Sequence, residues 1–146
     1  MKVALGSDHG GFELKEILKK FLNERGYKVT DVGTQSTDSC DYPDYGIKVA
    51  EKVAKGEADR GILVCGTGLG MSMTANKVKG IRSALCHDVY TAKMAREHND
   101  SNVLALGARV LKKELALDIL ETWLTTNFEG GRHQKRIDKI SAYESK

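Results

Sequence analysis

The sequence predicts one α/β domain in which a parallel sheet lies between two layers of helices. Three observations carry this. Short apolar runs alternate with amphipathic stretches along the whole chain. The runs at 61–65, 81–86 and 103–107 show no in–out polar alternation, as befits strands covered on both faces. Glycines stand where the amphipathic stretches stop.

Taken in order, residues 3–6 (VALG) read as a buried strand. Residues 12–25 read as a helix, with Leu14, Ile17, Leu18, Phe21 and Leu22 on one side and Lys15, Lys19, Lys20 and Glu24 elsewhere. Gly26 stops it, and 27–32 form a second strand. Residues 33–44 are polar and hold the only proline, Pro43, so they read as a loop. A helix over 45–55 ends at Gly56. Strands at 61–65, 81–86 and 103–107 follow, with helices at 88–97 and 111–127. A more polar helix over 132–143 closes the chain beyond Gly130 and Gly131; its Ile137, Ile140 and Tyr143 give it a packing face. Crossovers between parallel strands are right-handed. With no internal repeat and no long linker, residues 1–146 form a single domain.

Bulk properties exclude several classes. A chain of 146 residues buries enough surface to fold without disulfides or metal. The net charge of +3 is too small to argue for nucleic acid. Cys40, Cys65 and Cys86 are odd in number, widely spaced and lack a CxxC pair, which argues against a zinc site or disulfide framework. No signal peptide and no membrane-spanning run are expected, and the expected location is the cytoplasm.

In open parallel sheets, ligands sit beyond the carboxyl ends of the strands. That rule selects Ser7-Asp8-His9, residues 65–70, His87-Asp88 and Ala108-Arg109. The second of these is the run VCGTGLGMSMTANK. Its glycines, Gly66, Gly68 and Gly70, allow a tight turn and close approach, and successive amides there can cradle an anion. Neither nucleotide motif fits. The P-loop pattern fails at Met71, and the third glycine of the dinucleotide pattern, Gly70, comes one residue early. A cysteine here is either a small buried hydrophobe or, beside amide donors, a nucleophile or general base.

His9 follows the first strand, at the functional edge. His98 and Asn99 lie where a helix gives way to the loop before the fifth strand, which is the opposite edge. In a monomer His98 would not easily reach Cys65; it could serve that site only across a subunit interface. Arg132 and Arg136 are spaced i, i+4 and share a helix face. Arginine forks of this kind bind phosphate, although a solvated basic helix has the same pattern.

Together SDHGGFELK, DYPDY, ILVCGTGLGMSMTANK, HNDSNVLALGAR and FEGGRHQKR resemble the type B ribose-5-phosphate isomerases, a family that includes allose-6-phosphate and galactose-6-phosphate isomerases. The resemblance runs over 2–143. It implies a Rossmann-like fold, no cofactor, and a homodimer with two active sites at its interface, the closing helix packing on the partner subunit; whether such dimers pair into tetramers the sequence does not decide. It implies a phosphosugar substrate, D-ribose 5-phosphate interconverting with D-ribulose 5-phosphate. Cys65 matches the base of one branch of the family, whereas another branch uses a glutamate near the place of Gly70. By the same resemblance His98 assists ring opening and Thr67 lies near the enediolate oxygens. Asp8, Tyr42 and Asn99 contact the sugar, and His9, Arg109, Arg132 and Arg136 form the phosphate pocket. His98, Asn99 and Arg109 are implied to reach a site whose other residues belong to the partner.

The chemistry is consistent with these residues. Moving a carbonyl from C1 to C2 needs a base at C2 and donors for an enediolate, which Cys65 and the amides of residues 66–70 can supply. The alternatives are the same reaction on a six-carbon sugar phosphate, a non-catalytic sugar-phosphate sensor, and a cysteine hydrolase. Cys86 reads as core, and Trp123 as packing.

Overall fold

The computed structural model describes residues 1–146. Five strands, β1 (Lys2–Ser7), β2 (Lys28–Asp31), β3 (Arg60–Cys65), β4 (Ser83–Leu85) and β5 (Val103–Gly107), form one sheet in the order β2-β1-β3-β5-β4. Every pairing is parallel. Six helices alternate with and follow the strands: α1 (Phe12–Glu24), α2 (Tyr42–Ala54), α3 (Leu69–Ala75), α4 (Val89–Glu97), α5 (Lys113–Thr125) and α6 (Arg132–Glu144).

The predicted class therefore holds, and burial shows why. The central strands β1, β3 and β5 are buried along nearly their whole length, and the edge strands β2 and β4 only half. Alternate residues of the central strands feed two cores. On one face Leu5, Ile62, Val64, Leu104 and Leu106 meet Leu18, Leu22, Ile119, Leu120 and Trp123 of α1 and α5. On the other, Ala4, Leu63, Cys65 and Ala105 meet Val49, Ala50 and Met71 of α2 and α3. Trp123 is fully buried, and its Nε1–H donates to Ser101 Oγ at 2.8 Å, so its role is packing. Cys86 is also core, 1% exposed, and burial pushes its thiol up to about 11.

Several boundaries differ from the sequence expectation. α2 starts at Tyr42 rather than residue 45, because proline is tolerated in a helix's first turn, where its missing amide costs nothing. Pro43 thus marks a helix start, not the middle of a loop. β4 is three residues long instead of six, since it pairs only with β5 at the sheet's edge. α5 spans a shorter stretch than 111–127, with Lys112 extended before it and Thr126 after it. Gly26 and Gly56 do stop α1 and α2, with φ of 83° and 77°.

The strand order places the topological switch between β1 and β3. The connection from β1 leads to β2 on one side, and that from β3 leads past the position of β5 to β4 on the other. A crevice opens at such a point, at the carboxyl ends of the two strands.

Candidate active site

Two short turns meet in that crevice. The first follows β1. Asp8 is 8% exposed; its amide donates to Val64 O of β3, and its Oδ1 accepts from the Gly11 amide at 3.0 Å. The second follows β3 and carries Cys65, 5% exposed. Gly68 adopts the left-handed conformation with φ of 81°, which swings its amide back to donate to Cys65 Sγ at 3.1 Å. The Thr67 Oγ1 accepts from the Leu69 amide, and Thr67 itself is exposed.

The end of β5 locks this turn. Ala108 and Arg109 amides donate to the carbonyls of Cys65 and Gly66, each at 2.9 Å. The Arg109 guanidinium then lies over the two turns. A methyl group on Gly66 would sit 3.0 Å from Arg109 Nη1. One on Gly10 would sit 3.3 Å from Arg109 Nη2, 3.4 Å from Asp8 Oδ1 and 3.5 Å from the Gly66 nitrogen. Glycine at both positions therefore keeps a small space open between a carboxylate, an amide and a cation. The Tyr42 ring packs over Gly70, where any Cβ would come within 2.5 Å of Cε1.

His9 is half-buried beside this space. Its Nδ1 accepts from the Cys40 amide at 3.2 Å, so the proton of the neutral ring sits on Nε2. Sequence reasoning gave Cys40 no role; its amide makes this bond and its Sγ lies 3.8 Å from the same nitrogen, a contact across 31 positions that no local pattern reveals.

The remaining candidates lie at the other end of the sheet. His98 caps the C-terminus of α4, and Asn99 follows it, ahead of the start of β5. Val103, at that start, pairs with Gly61, while Cys65 pairs with Gly107. At about 3.3 Å per residue, the strand alone separates the two ends by about 13 Å. Arg132 and Arg136, both exposed, rise from α6, whose first turn packs on His98. So the structure gathers Asp8, His9, Tyr42, Cys65, Thr67, Gly66, Gly68, Gly70 and Arg109 at one edge. It gathers His98, Asn99, Arg132 and Arg136 at the other. Arg109 departs from the implied grouping: it stands over Cys65's turn in its own chain, because β5 runs next to β3 and ends level with it.

Sequence reasoning also missed His133. Its ring stacks on His98 with centroids 4.1 Å apart and planes 14° from parallel. His133 is 4% exposed, and its Nε2 finds no hydrogen-bond partner; Glu129 Oε2 is nearest at 3.5 Å. Burial, then the neighbouring His98 and Arg132, hold its pKa below the usual histidine value. His98, Glu129 and His133 offer ligand atoms within 4.8 Å of one another. The stack does not suit a metal, because parallel rings aim their in-plane lone pairs side by side rather than at one ion.

Fold and site thus define a three-layer α/β protein with a polar crevice at the switch point, bordered by a turn that carries a buried thiol. The family described as Ribose/Galactose Isomerase matches residues 3–140, and the chain belongs to that family. The ribose-5-phosphate isomerase B of Escherichia coli is 51% identical over 145 residues, covering 99% of this chain and 97% of that protein. Among solved structures, the ribose-5-phosphate isomerase B of Clostridium thermocellum is 58% identical with a TM-score of 0.99, over 99% of this chain and 98% of that one. The Mycoplasma genitalium ribose-5-phosphate isomerase B with bound ribulose-5-phosphate is 45% identical with a TM-score of 0.97, over 99% and 97%. The resemblance read from the motifs is borne out. No helix is long and apolar enough to cross a membrane.

Proposed function

We propose that the chain interconverts D-ribose 5-phosphate and D-ribulose 5-phosphate, with Cys65 as the base. One observation carries the reading. A buried thiol receives the amide of a left-handed glycine, on the same turn whose Gly66 borders the space held open between Asp8, Gly10 and Arg109.

Cys65 Sγ takes the proton from C2 of the open-chain aldose. The C2–H electron pair becomes the C1–C2 double bond, and O1 takes the negative charge. The thiol returns the proton to C1 while the C2 hydroxyl passes its own to O1, leaving a hydroxyl on C1 and a carbonyl at C2. Amides of the glycine turn and Thr67 face the enediolate oxygens. Asp8, Tyr42 and Asn99 hold the sugar. His9, Arg109, Arg132 and Arg136 hold the phosphate, whose binding energy fixes the reacting carbons. The net reaction moves hydrogen within one molecule, so its balance requires no redox partner.

The working unit in this reading is a homodimer. His98, Asn99, Arg132 and Arg136 of one subunit complete the crevice of the other, since they stand at the wrong edge to complete their own. Two features support it. The half-buried edge strand β4 borders an apolar groove with Ile81, Met94 and Ile140. In α6 only His133 and Ile137 are buried, whereas Ile140 and Tyr143 are 57% and 76% exposed. Three free thiols fit a reducing, cytoplasmic setting.

The test is ketose formation from D-ribose 5-phosphate by the purified protein, with D-allose 6-phosphate in parallel and no added metal or nucleotide. Fast turnover of the ribose compound is expected. Turnover of the six-carbon sugar alone would change the substrate, and turnover of neither would overturn the reading.

A further inference from the structure

We propose that His133 is a positioning residue for ring opening: its stacked imidazole holds His98 in the orientation from which His98 protonates the ring oxygen of the furanose. The inference rests on the reading of His98 as the ring-opening group.

The two rings come from separate elements. His98 ends α4, its amide donating to Met94 O at 2.9 Å. His133 begins α6, its amide donating to Gly130 O at 3.1 Å. A backbone bond from the Glu129 amide to Glu97 O ties the intervening turn to the end of α4. This fixes both Cα positions and leaves the χ angles of His98 to be set by what its ring touches. The face of His133, 4.1 Å away, is the contact that sets them. His133 itself makes no hydrogen bond through its buried Nε2. Buried polar atoms ordinarily find partners, so what this ring supplies here is a flat surface. Its neutral state matters as well. Burial and the adjacent His98, Arg132 and Arg136 outweigh Glu129 and disfavour a second proton on His133, so the stack holds without a charge on that ring.

Ring opening is separable from isomerisation. In ring-form D-ribose 5-phosphate, the C4 oxygen bonds to C1. His98 gives a proton to that oxygen, the C1–O4 bond breaks, and the C1 hydroxyl loses its proton to solvent, leaving the aldehyde. D-ribulose 5-phosphate has its carbonyl at C2. A five-membered ring would need its C5 oxygen, which carries the phosphate, so this substrate is already open. Initial rates in the two directions therefore report chemistry with and without ring opening, and their ratio within one variant cancels losses in folded fraction.

The experiment measures both initial rates for wild type, His133→Leu, His133→Phe and His98→Ala. Leucine fills the space without a flat face, and phenylalanine restores the face. His133→Leu is expected to slow D-ribose 5-phosphate about tenfold relative to D-ribulose 5-phosphate, a part of what a well-placed general acid contributes. His133→Phe should stay within about twofold of the wild-type ratio, as the stack alone is what it keeps. Equal losses in both directions for His133→Leu, or a ratio as poor for His133→Phe, would overturn the proposal. A His98→Ala variant with an unchanged ratio would overturn it too, through the role of His98, while sparing the isomerase reading. Wild type inactive on both compounds would overturn the isomerase reading itself.

Discussion

The Gly68 amide points at the Cys65 sulfur from 3.1 Å, and it can do so only because Gly68 is left-handed. A side chain there would be strained by φ of 81° and would also meet Leu85 Cδ1 at 2.5 Å and the Leu106 carbonyl carbon at 3.0 Å. Gly68→Ala is therefore expected to cost at least about 1–2 kcal/mol of stability, the ordinary cost of a left-handed Cβ. Activity should fall further than that loss explains, since the donor moves off the sulfur. Urea denaturation and isomerase assays on the same preparation check both.

Cys65→Ala removes the base and only one buried heavy atom of packing. Less than about a tenth of wild-type turnover should remain, since proton transfer by a placed group contributes at least that much. The melting temperature should change little by comparison. Retention of more activity would move the base elsewhere.

Away from the site, Ser101→Ala leaves the Trp123 indole N–H buried without its acceptor at 2.8 Å. An orphaned buried donor costs about 1–3 kcal/mol. Chemical denaturation should show that loss with turnover per folded molecule near wild type, because the pair belongs to the α5 core.

A fourth expectation concerns acid. Lys15 is fully buried, and its Nζ meets Asp31 Oδ2 at 2.6 Å, with Lys19 on the same oxygen at 2.9 Å. Burial works against the Asp31 charge, but hydrogen bonds from Lys15, Lys19 and the Gly33 amide outweigh it and hold the carboxyl below its ordinary 3.8. A carboxyl depressed in the folded state stabilises fully above the ordinary value, and that contribution is lost as pH falls through the folded value. Asp31→Asn should cost about 3 kcal/mol near neutrality by leaving a buried ammonium poorly compensated. The difference from wild type should shrink as pH drops below 3.8. Denaturation curves at a series of pH values read this directly.

The sequence by itself determined the layer architecture, because period and apolar continuity are local properties of a strand or helix. It also singled out Cys65, its glycines and Asp8-His9 as site candidates, since strands of a parallel sheet present their carboxyl ends to ligands whatever their order. Strand order was beyond it. Only the tertiary structure put β1 beside β3 and β5 beside β3, and so brought Asp8, Cys65 and Arg109 into one crevice. Pro43 misled the local reading because the same residue suits a loop and a first helical turn, and the packing of Tyr42 on Gly70 selects the second. His133 was invisible for a similar reason. Its neighbour in space lies 35 positions earlier in the chain. Stacking between two rings depends on how α4 and α6 cross, and no periodicity in either segment encodes that.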